Sequence, residues 1–565
     1  MENKPLNVAL LWHMHQPEYR NLATGEYHLP WTYLHAIKDY ADMAAHLERH
    51  SGARAVVNFA PILLDQIEDY ASRIKECLQD SCVIPDPLLN SLISDKPFIK
   101  DKAERLSLIL ACSKVNEERL IKRYPPFENL IEIARKLSTQ DAVCYLDPQF
   151  FIDLVVWYHL AWMGETIRKD NAVINRLIDK GHDFSPEDRR ALIEVISETL
   201  SNIIPRYRKL AEEGKVELIM SPYAHPMLPL LLDFNSMREA MPEAALPETP
   251  EYPGGEARAR WHIEEGLRTF EHYFGHKPIG CWPSEGGVST ATVKLLDEYG
   301  FKWAASGDNV LSNSGQTEIC DAEGDDCRHV PYSIEGNDIR LFFRDDGLSD
   351  LIGFTYSNWH ADDAVGDLIQ HLKNIRTHCK NPAESVVSII LDGENAWEYY
   401  PENAHYFLDA LYQRLSEDPD LNLTTYSNYL ETQSNSKQLP RLVAGSWVYG
   451  SFSTWMGDPD KNRAWDLLCE AKLAYDAHLQ AHPDAASNPE LLKQLAVCEG
   501  SDWFWWFGDY NSSSSVRDFD DLYRLNLRNL YRLMGHSPPA ELDEPISKGT
   551  ESPEAEAGGV MRRGG

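Results

Sequence analysis

Glu285 lies in Gly280-Cys-Trp-Pro-Ser-Glu-Gly-Gly287, and Asp392 lies in Ile389-Ile-Leu-Asp-Gly-Glu-Asn-Ala-Trp-Glu398. Each carboxylate follows a short apolar run and enters a turn beside a tryptophan. Two acids presented in this way suit a nucleophile and an acid/base for breaking a sugar–sugar bond. Glu394 competes with Asp392 for the acid/base place, and spacing alone does not choose between them.

Other chemistry-bearing clusters also follow apolar runs. His13-Met-His15-Gln-Pro17 puts two imidazoles on one face of an extended segment, fit to bond sugar hydroxyls or hold a metal, or simply to cap a strand. In Ser221-Pro-Tyr-Ala-His-Pro-Met-Leu-Pro229, three prolines fix a loop that presents Tyr223 and His225. Trp282 offers an apolar platform to a sugar ring. Arg344, in Phe343-Arg-Asp-Asp346, can pair with a carboxylate, with Asp350 as a further partner. Trp397 follows Asp392. Trp447, Trp455 and Asp458 stand in a glycine-punctuated stretch over 445–458, as suited to a cleft wall as to packing. The Asp502–Asp509 stretch, with Trp503, Trp505 and Trp506, reads better as helix–barrel packing.

The elements that must position these residues are short buried strands. Seven runs stand out: Asn7–Trp12, Arg54–Phe59, Val216–Met220, Ile279–Trp282, Lys302–Ala305, Arg340–Phe343 and Val386–Leu391. Helical patterns such as Thr290–Tyr299 and Asp362–Thr377 alternate with them, which predicts a parallel sheet or barrel. The candidates all follow strands rather than precede them, as chemistry does at the carboxyl rim of a β/α barrel. Residues 67–214 are too long for a loop and read as a helical insertion. The expected organisation is a catalytic barrel over 1–415, a helical domain over 416–540 contributing to the cleft, and a disordered tail over 541–565. Residues 313–328 read as a loop.

The chain has 565 residues, a hydrophobic fraction of 43% and a net charge of −34. That charge argues against nucleic acid or an anionic membrane as partner, whereas a neutral polysaccharide would not feel it. The amino terminus lacks the pattern of a signal peptide, and no run is long enough for a membrane helix. The ten cysteines are scattered, with Cys77/Cys82 and Cys320/Cys327 closest, and free thiols in a cytoplasmic chain are expected. Oligomeric state has no signature in the sequence.

Taken together these motifs resemble glycoside hydrolase family 57, whose members act on α-glucans. His-Gln-Pro stands at 15–17, Tyr-x-His-Pro at 223–226, the nucleophile segment around Trp282–Glu285, the acid/base segment at 392–395 and an aromatic segment at 447–458. The resemblance implies an incomplete (β/α)7 barrel, with Glu285 as nucleophile, Asp392 as general acid/base and Glu394 in a supporting place. It implies retention through a covalent glucosyl-enzyme, sugar contacts from His13, His15 and His225, and no metal or cofactor. The nucleophile loop departs from many members around its glutamate, and Gly286 and Gly287 are expected to loosen it.

The expected activity is hydrolysis of α-1,4, and in part α-1,6, links in starch, glycogen or maltodextrin. A 4-α-glucanotransferase or branching enzyme shares this chemistry up to the covalent intermediate. The rivals from other classes are a metal-dependent carbohydrate deacetylase using His13 and His15, and a non-catalytic glucan-binding protein.

Overall fold

Leu6–Met14 (β1) is buried along its whole length, which requires cover on both faces of the strand. Six further buried runs join it: Ala55–Phe59 (β2), Val216–Met220 (β3), Gly280–Cys281 (β4), Trp303–Ser306 (β5), Arg340–Phe343 (β6) and Val386–Asp392 (β7). Apolar runs without alternation are what a parallel sheet covered on both sides demands. In this computed structural model, residues 4–80, 82–94, 101–137, 142–315, 327–433 and 435–550 are described.

The seven strands are parallel, in the order β7-β1-β2-β3-β4-β5-β6. A single bridge, Arg344 to Ser388, joins β6 back to β7, and the Asp345 amide donates to the Ser388 carbonyl at 2.8 Å. The barrel is thus a (β/α)7 barrel whose last join is a bridge rather than a ladder. Its interior is filled by Ala9, Leu11, Val56, Ile219, Trp282, Trp303, Phe342 and Ile390. Tyr426 stacks into the amino-terminal end, 4.4 Å from the rings of both Trp303 and Phe342.

Between β2 and β3 the chain forms a series of helices, from Pro61–Asp80 to Pro186–Glu212. Ser185 opens the latter with a reciprocal cap to Asp188, followed by Pro186 where a proline costs no hydrogen bond. Downstream, Pro459–Ala481, Pro489–Cys498 and Ser513–Leu533 are helices.

Three expectations need correction. The stretch over 416–540 is not wholly helical: Leu421–Thr424 pairs with β1, and Lys437–Leu439 pairs with Tyr332–Ile334. The chain beyond 540 is packed as far as 550: Leu542 is buried, its carbonyl accepts from Arg524, and Thr550 bridges to Ser512. Cys77, in the last turn of helix Pro61–Asp80, and Cys82 form a disulfide, with their Cα atoms 4.6 Å apart. Cys320, most of the 313–328 loop and the tail from 551 lie outside the described residues. Among those described, no helix is long and apolar enough to cross a membrane.

Candidate active site

Strand parity decides which side chains enter the barrel. On β1, Ala9 and Leu11 face the lumen while Val8, Leu10 and Trp12 pack outward, so His13 continues the inward row. On β7, Val386 and Ile390 face inward, which aims Asp392 the same way. On β2, Val56 does so for Asn58. His13 is in register with both Asn58 and Asp392. As placed, the His13 Nδ1–H donates to Asn58 Oδ1 at 2.5 Å, leaving Nε2 as an acceptor.

Glu285 follows β4 with φ +59°. That left-handed conformation costs a non-glycine residue and points to function when observed. The helix after it, Thr290–Glu298, is capped by Ser289, so Glu285 has no capping duty. The loop is pinned, contrary to the expected looseness. The Gly287 amide donates to the Ser284 carbonyl, and Ser306 Oγ donates to the Gly286 carbonyl at 2.6 Å. Gly286 has φ +59°, and a Cβ there would stand 2.9 Å from the Trp282 ring.

The carboxylate of Glu285 is buried and held from two sides. Ser501 Oγ donates to Oε1 at 3.0 Å, and Trp447 Nε1 donates to Oε2 at 3.3 Å. His225 Nδ1 lies 2.9 Å from Ser501 Oγ and 3.7 Å from Glu285 Oε1. Since the serine proton goes to the carboxylate, His225 donates to the serine, and its Nε2 is an acceptor. His15 stacks on His225 with centroids 3.8 Å apart, and its Nε2–H donates to Asp502 at 2.8 Å. His13 completes the stack, 5.0 Å from His225. His15 Nδ1, His225 Nε2 and Trp282 Nε1 are buried without a hydrogen-bond partner.

Burial shapes the charges. It holds His13 down to about 3, with help from His15, and holds His225 well below the usual imidazole range, so both are neutral. It pushes Glu285 up to about 8, reinforced by the negative charges of Asp502 and Asp392. It also raises Asp392, against the opposing pull of Asn395, whose Nδ2 donates to Asp392 Oδ2 at 2.9 Å. With Glu285 held up to about 8 partly by the charge of Asp392, the carboxyl pair retains a proton at neutral pH.

The remaining candidates divide. Trp282 and Trp447 meet edge to face at 5.2 Å beside His13. Arg344 binds Asp346 and Asp350 at 2.6 and 2.9 Å, lies 5.8 Å over Trp447 and draws Asp392 down electrostatically. Glu394 accepts from Gln16 at 3.1 Å, and burial and Asp392 hold it well above the usual carboxylate range. Four others sit elsewhere. Trp397 is buried against Trp12, and its Nε1 donates to the Gly393 carbonyl. Trp455 is buried against Trp505. The Tyr223 hydroxyl donates to Asp65, and Asp458 caps helix Pro459–Ala481. Sequence reasoning missed Asn58, Ser501 and Asp502. Only the Gly-Ser-Asp turn before the aromatic run could have drawn attention to the last two.

His15, His225 and Asp502 bring one ligand atom each within 4.8 Å of the others. The two rings are stacked and parallel to within 21°. Their in-plane lone pairs therefore do not converge on one ion as a zinc site requires. The donor set fits a polyol better than a metal.

The model of Glycosyl hydrolase family 57 matches residues 9–443. A curated relative, the 1,4-alpha-glucan branching enzyme TK1436 of Thermococcus kodakarensis, is 22% identical over 54% of this chain and 51% of its own length. The chain thus spans about half the length of that relative. Among solved structures, the family-57-type branching enzyme from Pyrococcus horikoshii superposes with a TM-score of 0.57 at 16% identity, over 95% of this chain and 93% of that one. The alpha-amylase AmyC from Thermotoga maritima gives 0.53 at 13% identity, over 94% and 93%. These likenesses establish a shared fold. With a glutamate and an aspartate on the carboxyl rim of a seven-stranded barrel, the chain belongs to glycosyl hydrolase family 57.

Proposed function

We propose that this protein remodels α-glucans by double displacement, with Glu285 as nucleophile and Asp392 as acid/base. One observation carries the reading: a buried glutamate and a half-buried aspartate share a lumen with His15 Nδ1, His225 Nε2 and Trp282 Nε1, three buried nitrogens without a hydrogen-bond partner. Unpaired buried donors and acceptors are costly, and sugar hydroxyls, which both donate and accept, would satisfy them. Glu285 receives a donor on each oxygen, which favours its ionised form. Asp392 receives only the one from Asn395, so the proton that burial keeps on Glu285 in the unliganded pair passes to Asp392 when a glucan engages. Glu285 attacks the anomeric carbon while Asp392 gives its proton to the departing glycosidic oxygen. Asp392 then takes a proton from the acceptor hydroxyl, whose oxygen displaces Glu285 from the same carbon and restores the configuration.

Transfer to a sugar hydroxyl, as in α-1,4-glucan branching, is the acceptor reading we favour. The curated relative is named as a branching enzyme, and the carboxylate of Glu285 is walled by Trp447, His225 and Ser501 rather than open to water. Amylase-like hydrolysis is the second reading, for which the fold shared with AmyC leaves room. Incubation with amylose decides. Transfer lowers iodine staining at nearly constant reducing ends and creates α-1,6 links, whereas hydrolysis raises reducing ends in step with the loss of staining. Failure of the wild type to alter amylose, glycogen or pullulan would sink the proposal. Free thiols at Cys112, Cys281, Cys379, Cys469 and Cys498 suit a cytoplasmic glucan, with the Cys77–Cys82 bridge as the contrary feature.

A further inference from the structure

Two large aromatic side chains stand exposed on the same rim as the carboxyl pair, outside the catalytic cluster. Trp359, 45% exposed, ends the connection that follows β6 and Arg344. Tyr399, 39% exposed, lies in the connection that follows Asp392. Arg119, from the helical stretch between β2 and β3, holds both connections with one guanidinium. Its Nε donates to the Tyr399 carbonyl at 2.9 Å and its Nη2 to the Ser357 carbonyl at 3.4 Å. The Tyr400 hydroxyl donates to the Ile352 carbonyl at 2.6 Å and ties the same two connections underneath. Tyr356 braces Trp359 edge to face at 5.4 Å.

The backbone beyond Tyr399 is strained in a way that packing alone does not ask for. Glu402, Asn403 and Ala404 have φ of +53°, +53° and +57°. Non-glycine residues normally visit this region singly, and here three do so in succession. Buried groups enforce the turn. Lys38 Nζ donates to Asn403 Oδ1 at 3.1 Å, and Asn403 Nδ2 donates to Asp42 Oδ2 at 2.9 Å. Asp42 in turn accepts the backbone amides of Glu165 and Thr166. Strain maintained by an over-determined surrounding marks a segment whose shape matters. Here it fixes the loop that displays Tyr399.

We propose that Trp359, Tyr399 and Arg119 form a second glucan-binding subsite on the barrel rim, which holds the chain away from the bond being broken. The inference rests on the α-glucan reading above. An exposed indole and phenol offer flat faces to sugar rings, and the guanidinium offers donors to hydroxyls. The strongly acidic chain disfavours a polyanion and leaves a neutral polyol as the fitting occupant. Continuity with the loops that carry Arg344 and Asp392 makes it one polymer, lying across both places.

The test is calorimetric binding of maltotriose and of a long maltodextrin to the full-length Glu285→Gln protein, which binds without turnover. Adding Trp359→Ala or Tyr399→Ala is expected to lower the ratio of long-chain to short-chain affinity about fivefold each, the scale of one lost stacking contact. Trp359→Phe and Tyr399→Phe should retain most of the ratio. Tyr145→Ala, at a tyrosine 89% exposed elsewhere, should keep it whole. A ratio within twofold of the parent in both alanine variants would overturn the subsite. If the parent bound neither sugar, the glucan reading itself would fall, and this subsite with it.

Discussion

Replacing Glu285 by glutamine should make the protein less sensitive to alkali in a quantifiable way. In the folded chain the carboxyl is held up to about 8, against 4.5 for an ordinary glutamate. Between those values the unfolded chain has lost a proton that the folded chain retains. Stability therefore falls as pH rises, by about 1.4 kcal/mol per pH unit per retained proton. The penalty is absent below the unfolded value, grows through the window and levels off above about 8. From pH 5.5, where the acidic chain keeps its charge, to pH 8, the wild type should lose about 3 kcal/mol that the amide variant does not lose. The amide also changes the bonds from Ser501 and Trp447, but that offset is nearly constant with pH and cancels in the slope.

The assay is urea unfolding of both proteins at half-unit steps from pH 5.5 to 9, followed by tryptophan fluorescence. A chain of this size need not unfold in one step. The quantity compared is therefore the variant-minus-wild-type difference in the barrel transition at each pH. It should rise by about 3 kcal/mol and then flatten. A difference varying by less than about 0.5 kcal/mol over the range would refute the claim that burial keeps Glu285 protonated. With it would go the picture of a shared proton, although not the assignment of the nucleophile.

Two further outcomes follow from the same neighbourhood. Asp502→Asn removes a charge that raises Glu285 while leaving an oxygen to accept from His15. The acid limb of kcat/KM should therefore move to lower pH, and a limb that stays or moves upward would count against the electrostatic role. Gly286→Ala adds a Cβ 2.9 Å from Trp282 at φ +59°. It should cost about 1–3 kcal/mol and depress kcat more than it raises KM, because Glu285 sits one residue away; unaltered kinetics would show that the loop tolerates displacement.

The barrel was legible because parallel strands covered on both faces must be continuously apolar, and all seven such runs became its strands. The carboxyl rim was legible because each polar cluster directly follows such a run. What lay hidden depends on distant pairing. Asn58 is one more residue of a buried strand until register sets it beside His13. Tyr223 and Trp397 stand among the substrate-binding candidates in sequence, yet Asp65 and the Gly393 carbonyl take their polar atoms. The Cys77–Cys82 bridge depends on how one helix ends, which spacing does not encode.

Ser501 and Asp502 carry the most consequence among the hidden residues, because they lie beyond residue 443, where the family match ends. The part of the chain that matches the family supplies both carboxyls and the three imidazoles. The groups that tune them come from a turn locked to the His225 loop through the Pro226–Gly500 bridge and the bond from the Ser501 amide to the His225 carbonyl, 2.9 Å long. One residue of that turn donates to Glu285 and the next opposes its ionisation. The proposed bond-breaking groups and the residues that set their charge are therefore encoded in separate parts of the chain. Substitution in the second part can shift the working pH without touching the first.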